Sequence, residues 1–120
     1  MPVEVRFDDE HGVARVKMTG APTVSEVSTG LDEVEEMLKD RSPKLILSDL
    51  TGQKTGVDKE TRQVIKEKGM AIGFDRHAFV GVSPATRMVA KVLMAVLGQS
   101  KKTKFFGETD RALEWLTEIR

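Results

Sequence analysis

Asp49 closes the apolar run Leu45-Ile46-Leu47-Ser48, and Thr51-Gly52-Gln53-Lys54-Thr55-Gly56 follows. A carboxylate where a buried strand ends, with hydroxyls and glycines next to it, stands where open α/β sheets hold their ligands. Loop amides and the start of the next helix, opened by Asp58, would suit a small anionic or polar ligand or a docking partner. The candidate binding residues are therefore Asp49, Thr51, Gly52, Thr55 and Asp58. The glycine spacing matches neither a P-loop nor a dinucleotide fingerprint. Ordinary turn chemistry accounts for the same residues: Asp and Thr bond nearby backbone, and Gly supplies the bend.

No other group of residues spells out catalysis. His11 and His77 are the only histidines, and there is no cysteine. Asp75-Arg76-His77 suggests acid–base work, but one Asp-x-His does not define a triad or a zinc site. Both histidines are expected in exposed loops. Asp8, Asp9 and Glu10 lack the alternating oxygen ligands of a calcium loop and are expected at a solvated hairpin tip. The expectation is no catalytic residue, no metal and no cofactor. Lys101, Lys102 and Lys104 form a small basic cluster, either a wet loop or a weak phospholipid contact.

The elements that must position these residues follow from periodicity. Val3, Val5 and Phe7 alternate with Glu4 and Arg6, and Ala14, Val16 and Met18 with Arg15 and Lys17, so each run is a strand. The turn DDEHG joins them as a hairpin. Thr23 and Glu26 fit a capping box at the head of a helix carrying Val24, Val27, Leu31, Val34, Met37 and Leu38 and ending near Asp40. Lys44–Leu50 reads as a buried strand. Asp58 caps a surface helix with a narrow stripe, Val57, Thr61, Val64 and Ile65, that runs to about Lys68 and stops at Gly69. Residues 70–77 hold a further helical turn and a loop.

Ala78–Val82 is expected to be the most buried strand. Ser83-Pro84 opens a strongly apolar helix that ends at Gly98. In that helix Met88, Val89, Val92, Leu93, Val96 and Leu97 are expected to face the sheet. Ala85, Ala90, Met94 and Ala95 leave further apolar surface, with Ala90 and Met94 as candidates for a dimer interface or an apolar groove. Thr103–Phe106 is a short strand. A last helix from about Thr109 is expected to bury Ala112, Leu113, Trp115, Leu116 and Ile119, with Trp115 largely covered.

The order β-β-α-β-α-β-α-β-α predicts one α/β domain over residues 1–120, with a mostly parallel sheet of about five strands, an antiparallel edge and four main helices. The 120 residues are 39% hydrophobic and 32% charged, enough for a core and for solubility. Net charge is zero, which removes the electrostatic reason to expect nucleic acid. No apolar stretch is long enough to span a bilayer, because Arg87 and Lys91 interrupt the longest. MPVEVRFDDE does not read as a signal peptide, so a cytoplasmic location is expected.

The runs KLILSDLTG, AFVGVSPATRMVAKVL and KFFGETDRALEWL, in this element order, resemble the STAS fold of the SpoIIAA-type anti-sigma-factor antagonists. They resemble still more the broader SpoIIAA-like, or STAS/Sec14-like, group. The resemblance implies a non-catalytic regulatory module that binds a protein partner or small ligand, with a homodimer as one assembly. It implies, as the alternative, a Sec14-like binder of a lipid or other apolar molecule. The antagonists carry an Asp-Ser-Ser-Gly-like segment at the start of the helix after the third strand, and a kinase phosphorylates a Ser there. Counting from Asp49-Leu50-Thr51-Gly52, the matching positions fall near Val57-Asp58-Lys59. They hold no Ser, and Thr55 and Thr61 are the nearest hydroxyls.

Overall fold

The computed structural model describes residues 2–53, 58–96 and 98–119. The alternating N-terminal runs form an antiparallel hairpin, β1 (Val3–Asp8) and β2 (Val13–Gly20), with Val5 opposite Val16. Three further strands add in parallel: β3 (Leu45–Gln53), β4 (Arg76–Val80) and β5 (Thr103–Phe106). The sheet order is β1-β2-β3-β4-β5, the mixed five-stranded arrangement expected from the sequence.

Helix α1 (Val24–Leu38) starts at its capping box. The Glu26 amide donates to Thr23 Oγ1 at 3.1 Å, and the Thr23 amide to Glu26 Oε1 at 2.9 Å. Its Val27, Val34 and Leu38 are fully buried against Ala14, Val16, Met18 and Ile46 of the sheet. Gly30 lets the helix approach the edge strand, since a Cβ there would lie 2.7 Å from Val3 Cγ1. Helix α2 (Lys59–Ile72) packs beside α1.

Helix α4 (Thr109–Leu116) covers the other face, where Ala112, Leu113 and Leu116 meet Val13, Leu45, Leu47, Ala78 and Val80. Both faces of β3 are thus occupied at its start, which explains the apolar run Leu45-Ile46-Leu47.

Four expectations change. First, α2 passes through Gly69 and stops at Gly73, whose φ of 66° makes the left-handed cap. A helical glycine costs only about 1 kcal/mol relative to alanine, and the extra turn buries Ile72 at 3% exposure. The helix is anchored at Thr61 and Ile72, both buried, rather than held only at the surface.

Second, helix α3 (Pro84–Val96) is turned. Met88, Val92 and Val96 are 71%, 64% and 78% exposed, not packed on the sheet. Its two ends set the phase. Ser83 Oγ accepts from the Thr86 amide, and the Gln99 amide donates to the Met94 carbonyl before the chain enters β5. Arg87, Ala90 and Met94 are the half-buried positions. The side chains of Val89 and Leu93, and all of Leu97, lie outside the described residues.

Third, Trp115 is half-buried, because Leu116 and Leu113 take the core side of α4. Its ring packs on Phe106 at 5.8 Å and under the Arg76 guanidinium at 4.7 Å. Ile119 falls in a 3-10 turn after α4 and is 38% exposed.

Fourth, β4 ends at Val80, and Gly81 makes a bend with φ of 78°. Ala78 and Val80 are buried as expected, but Phe79 between them is only half-buried.

Candidate functional site

The residues gathered at the third strand do not form one loop. β3 runs on to Gln53, so Thr51 and Gly52 are strand residues, and Gly52 pairs with Thr19 of β2. The strand lengthens because β2 also extends, to Gly20, and offers partners for the additional backbone groups. Gly52 permits this pairing, since a Cβ there would lie 2.8 Å from Thr19 Cγ2. Asp49 sits within the strand, between Lys17 and Val80 in register. Its Oδ1 accepts from the Thr51 amide at 2.9 Å. Asp58 caps α2, its Oδ1 accepting from the Thr61 amide at 2.8 Å. That bond holds the Asp58 carboxyl below its ordinary range. Thr55 lies outside the described residues.

Acid–base chemistry finds no constellation among the described residues. Asp75 Oδ2 accepts from the Lys44 amide at 2.6 Å, so it ties together the starts of β3 and β4. Asp49 stands four residues further along β3 than Leu45, the partner of Arg76, or about 13 Å at strand rise. His77 is not in an exposed loop. It lies in β4, stacked on Phe79 at 4.1 Å, with the Phe74 ring edge-on at 5.3 Å. Its Nε2 and Ser48 Oγ are 2.8 Å apart. Loss of water around the ring pushes its pKa down to about 3, so His77 is neutral at pH 7. The signal in the sequence was Ser48, a lone hydroxyl in an apolar strand that needs a buried partner.

The hairpin tip also departs from expectation. Asp8 is buried, not solvated. It accepts from the His11 amide at 3.1 Å and from Arg15 at 3.3 Å, and His11 Nδ1 lies 2.9 Å from Oδ2. Burial alone would raise the Asp8 pKa, but these bonds outweigh it and leave it lowered. Asp8, Glu10 and His11 bring ligand atoms within 4.8 Å of one another. The Arg15 guanidinium already occupies the same Asp8 oxygen as His11, which makes the group a closed turn. Asp9 and Glu10 point to solvent.

One concave site was not legible from motifs. A cavity of about 400 Å³ opens between α3 and β5, lined by Arg87, Lys91, Met94, Ser100, Thr103, Lys104 and Phe105. Thr103 Oγ1 donates to Met94 Sδ at 3.8 Å, and Phe105 stacks on Phe79 at 5.4 Å. Of the candidate pair, Met94 lines this cavity, and Ala90 lies one helical turn away on the same half-buried face. Lys101 and Lys102 are exposed in a 3-10 turn outside it.

The family model for a domain of unknown function, DUF7793, matches residues 25–120. The chain belongs to this family. The match begins in α1 and takes in every later element, including both walls of the cavity. No curated protein matches the sequence.

Among solved structures, the chain is similar to an uncharacterised protein of the DUF3478 family with a SpoIIAA-like fold from Shewanella loihica. The TM-score is 0.72 at 20% identity, covering 95% of this chain and 91% of that one. It is also similar to an anti-sigma-factor antagonist (STAS) domain protein from Planctomyces limnophilus, with TM-score 0.65, 17% identity and coverage of 97% and 98%. A third is Moorella thermoacetica RsbS carrying a serine-to-glutamate substitution, with TM-score 0.65, 15% identity and coverage of 99% and 97%. The fold is therefore SpoIIAA-like, as the sequence resemblance implied. No helix among the described residues is long and apolar enough to cross a membrane.

Proposed function

We propose that this protein is a non-catalytic, STAS-like regulatory module. It binds a protein partner at the end of the domain where β3 finishes and α2 begins. The observation that carries the reading is the Asp58 cap. By the count from Asp49, this carboxylate stands where the antagonists present a phosphorylatable serine. It is exposed, ionised and fixed by the Thr61 amide. A phosphate would bring about −1.5 to −2 charges that come and go, whereas Asp58 supplies one charge that stays.

The likeness to an anti-sigma-factor antagonist domain supports a regulatory role. So does the state of the titratable groups: Asp75, His77 and Asp49 are each engaged in a structural bond, to the Lys44 amide, Ser48 and the Thr51 amide. In this reading the module is cytoplasmic and needs no cofactor.

Thr61, one of the two nearby hydroxyls, is 3% exposed, so a kinase would have to unwind the first turn of α2 to reach it. Intact-mass and peptide mass spectrometry of protein purified from its native cells tests the fixed-charge reading. The expected result is no phosphate on Thr55 or Thr61. Stoichiometric phosphate on either would restore a switch and overturn it.

A further inference from the structure

We propose that the cavity between α3 and β5 is a binding site for a small amphipathic organic anion, a carboxylate or phosphate head on an apolar or aromatic body. This goes beyond the partner-binding reading and does not depend on it.

The charge of the lining is one-sided. Arg87 and Lys91, one turn apart on α3, supply cations, and no carboxylate among the described residues lines the cavity. Neither cation has a salt-bridge partner among the described residues. Lys104 sends its ammonium to the opposite face, 5.9 Å from the Phe106 and Trp115 rings, so its charge is not counted here.

Arg87 carries the sharper observation. Its Nε is shielded from water and has no hydrogen-bond partner among the described residues. Buried donors are nearly always satisfied. The same guanidinium lines the cavity without a salt bridge among the described residues, and its planar fork suits carboxylate or phosphate. The guanidinium carbon lies 5.7 Å from the Phe105 ring centroid, which places the charge over the aromatic wall.

The rest of the cavity suits an apolar body. Phe105, backed by Phe79, and Met94 give a flat wall and an adaptable one. Ser100 and Thr103 add hydroxyls beside them. About 400 Å³ admits a small organic molecule and falls in the range of known ligand pockets.

The probe is 8-anilinonaphthalene-1-sulfonate, an aromatic sulfonate whose fluorescence rises in apolar surroundings. N-phenyl-1-naphthylamine serves as its uncharged counterpart. The expected result is saturable one-to-one binding of the sulfonate, weakened about ten-fold by Arg87→Gln, as for loss of a bond to a charged group. Lys102→Gln, with the same change in net charge, leaves the affinity unchanged. Val92→Ser, on the outer face of α3, also leaves it unchanged. The uncharged probe does not distinguish Arg87→Gln from wild type.

Amide chemical shifts of the wild-type protein place the sulfonate independently of any variant, with the largest changes at Thr103, Lys104 and Phe105. Equal binding by folded Arg87→Gln, dependence on Val92 instead, or shifts confined to other elements would overturn the proposal. Titrating wild-type protein with laurate and with phenyl phosphate then separates the two head groups. Failure of both to compete with the sulfonate would likewise count against the site.

Discussion

Ser48 and His77 meet across the parallel pair β3–β4, Oγ to Nε2 at 2.8 Å, beneath the rings of Phe74 and Phe79. The bond satisfies two polar groups in an aromatic layer, and loss of water around the ring keeps the imidazole neutral. It makes His77 a structural residue whose cost appears only when the pH falls.

The sign follows from the two protonation states. Unfolded, the imidazole takes up a proton below about pH 6.5, whereas folded it stays neutral down to about pH 3. Between these limits the unfolded chain binds more protons, so stability falls as the pH is lowered. Urea unfolding at pH 7.5 and pH 5 should differ by about 2 kcal/mol from this residue. His77→Gln, which still offers Ser48 a partner, should remove most of that difference. An unchanged pH slope in the variant would contradict the assignment.

Gly81 adopts a φ of 78° and approaches Thr51, whose Cα would lie 2.7 Å from an added Cβ. Gly81→Ala therefore meets both left-handed strain, about 1–2 kcal/mol, and a backbone collision. Gly98 has a similar φ of 70° but nothing within 4 Å among the described residues. Thermal unfolding should show Gly98→Ala losing about 1 kcal/mol and Gly81→Ala distinctly more.

Leu116 is fully buried and Trp115 only half-buried, although both stand on α4. Leu116→Ala should cost about 2–5 kcal/mol, and Trp115→Ala should cost less despite the larger side chain. Denaturant titrations of the two variants check the order. The reverse order would restore the expectation that Trp115 is a core anchor.

Met88 and Val92 face solvent. Met88→Ser and Val92→Ser should each change stability by no more than about 0.5 kcal/mol. A loss of several kcal/mol in either would mean that this face packs against the protein.

These contrasts show what the sequence could and could not convey. The capping box Thr23-x-x-Glu26 and the left-handed stop at Gly98 are local, and each sits where its residues imply. So does the alternation in the hairpin, because a strand's period follows from its own backbone. The phase of α3 is not local: the stripe Met88, Val92 and Val96 faces outward, since the connections at Ser83 and Gln99 decide which side meets β5. The same holds for α2, where burial of Ile72 outweighs the stop suggested by Gly69.

At the candidate site, Asp58 is legible as a cap residue and Asp49 as a strand residue whose carboxylate bonds nearby backbone. Thr51 and Gly52 read as loop because their strand partner, Gly20 with its neighbours, is distant in sequence. The Arg87 cavity is built from two elements and has no motif, so only the fold brings its residues together.

In the proposed function, the fixed charge at Asp58 is part of a partner-binding surface. The direct measurement is quantitative affinity capture from native-cell extract with wild-type protein, Asp58→Ser and Asp58→Lys, followed by titration of the purified partner. Serine keeps the helix cap but removes the charge. One protein should be held by wild type, weakened by Asp58→Ser and lost with Asp58→Lys, while all three remain folded by circular dichroism. A partner that binds folded Asp58→Lys as tightly as wild type, or no protein that depends on residue 58, would contradict it.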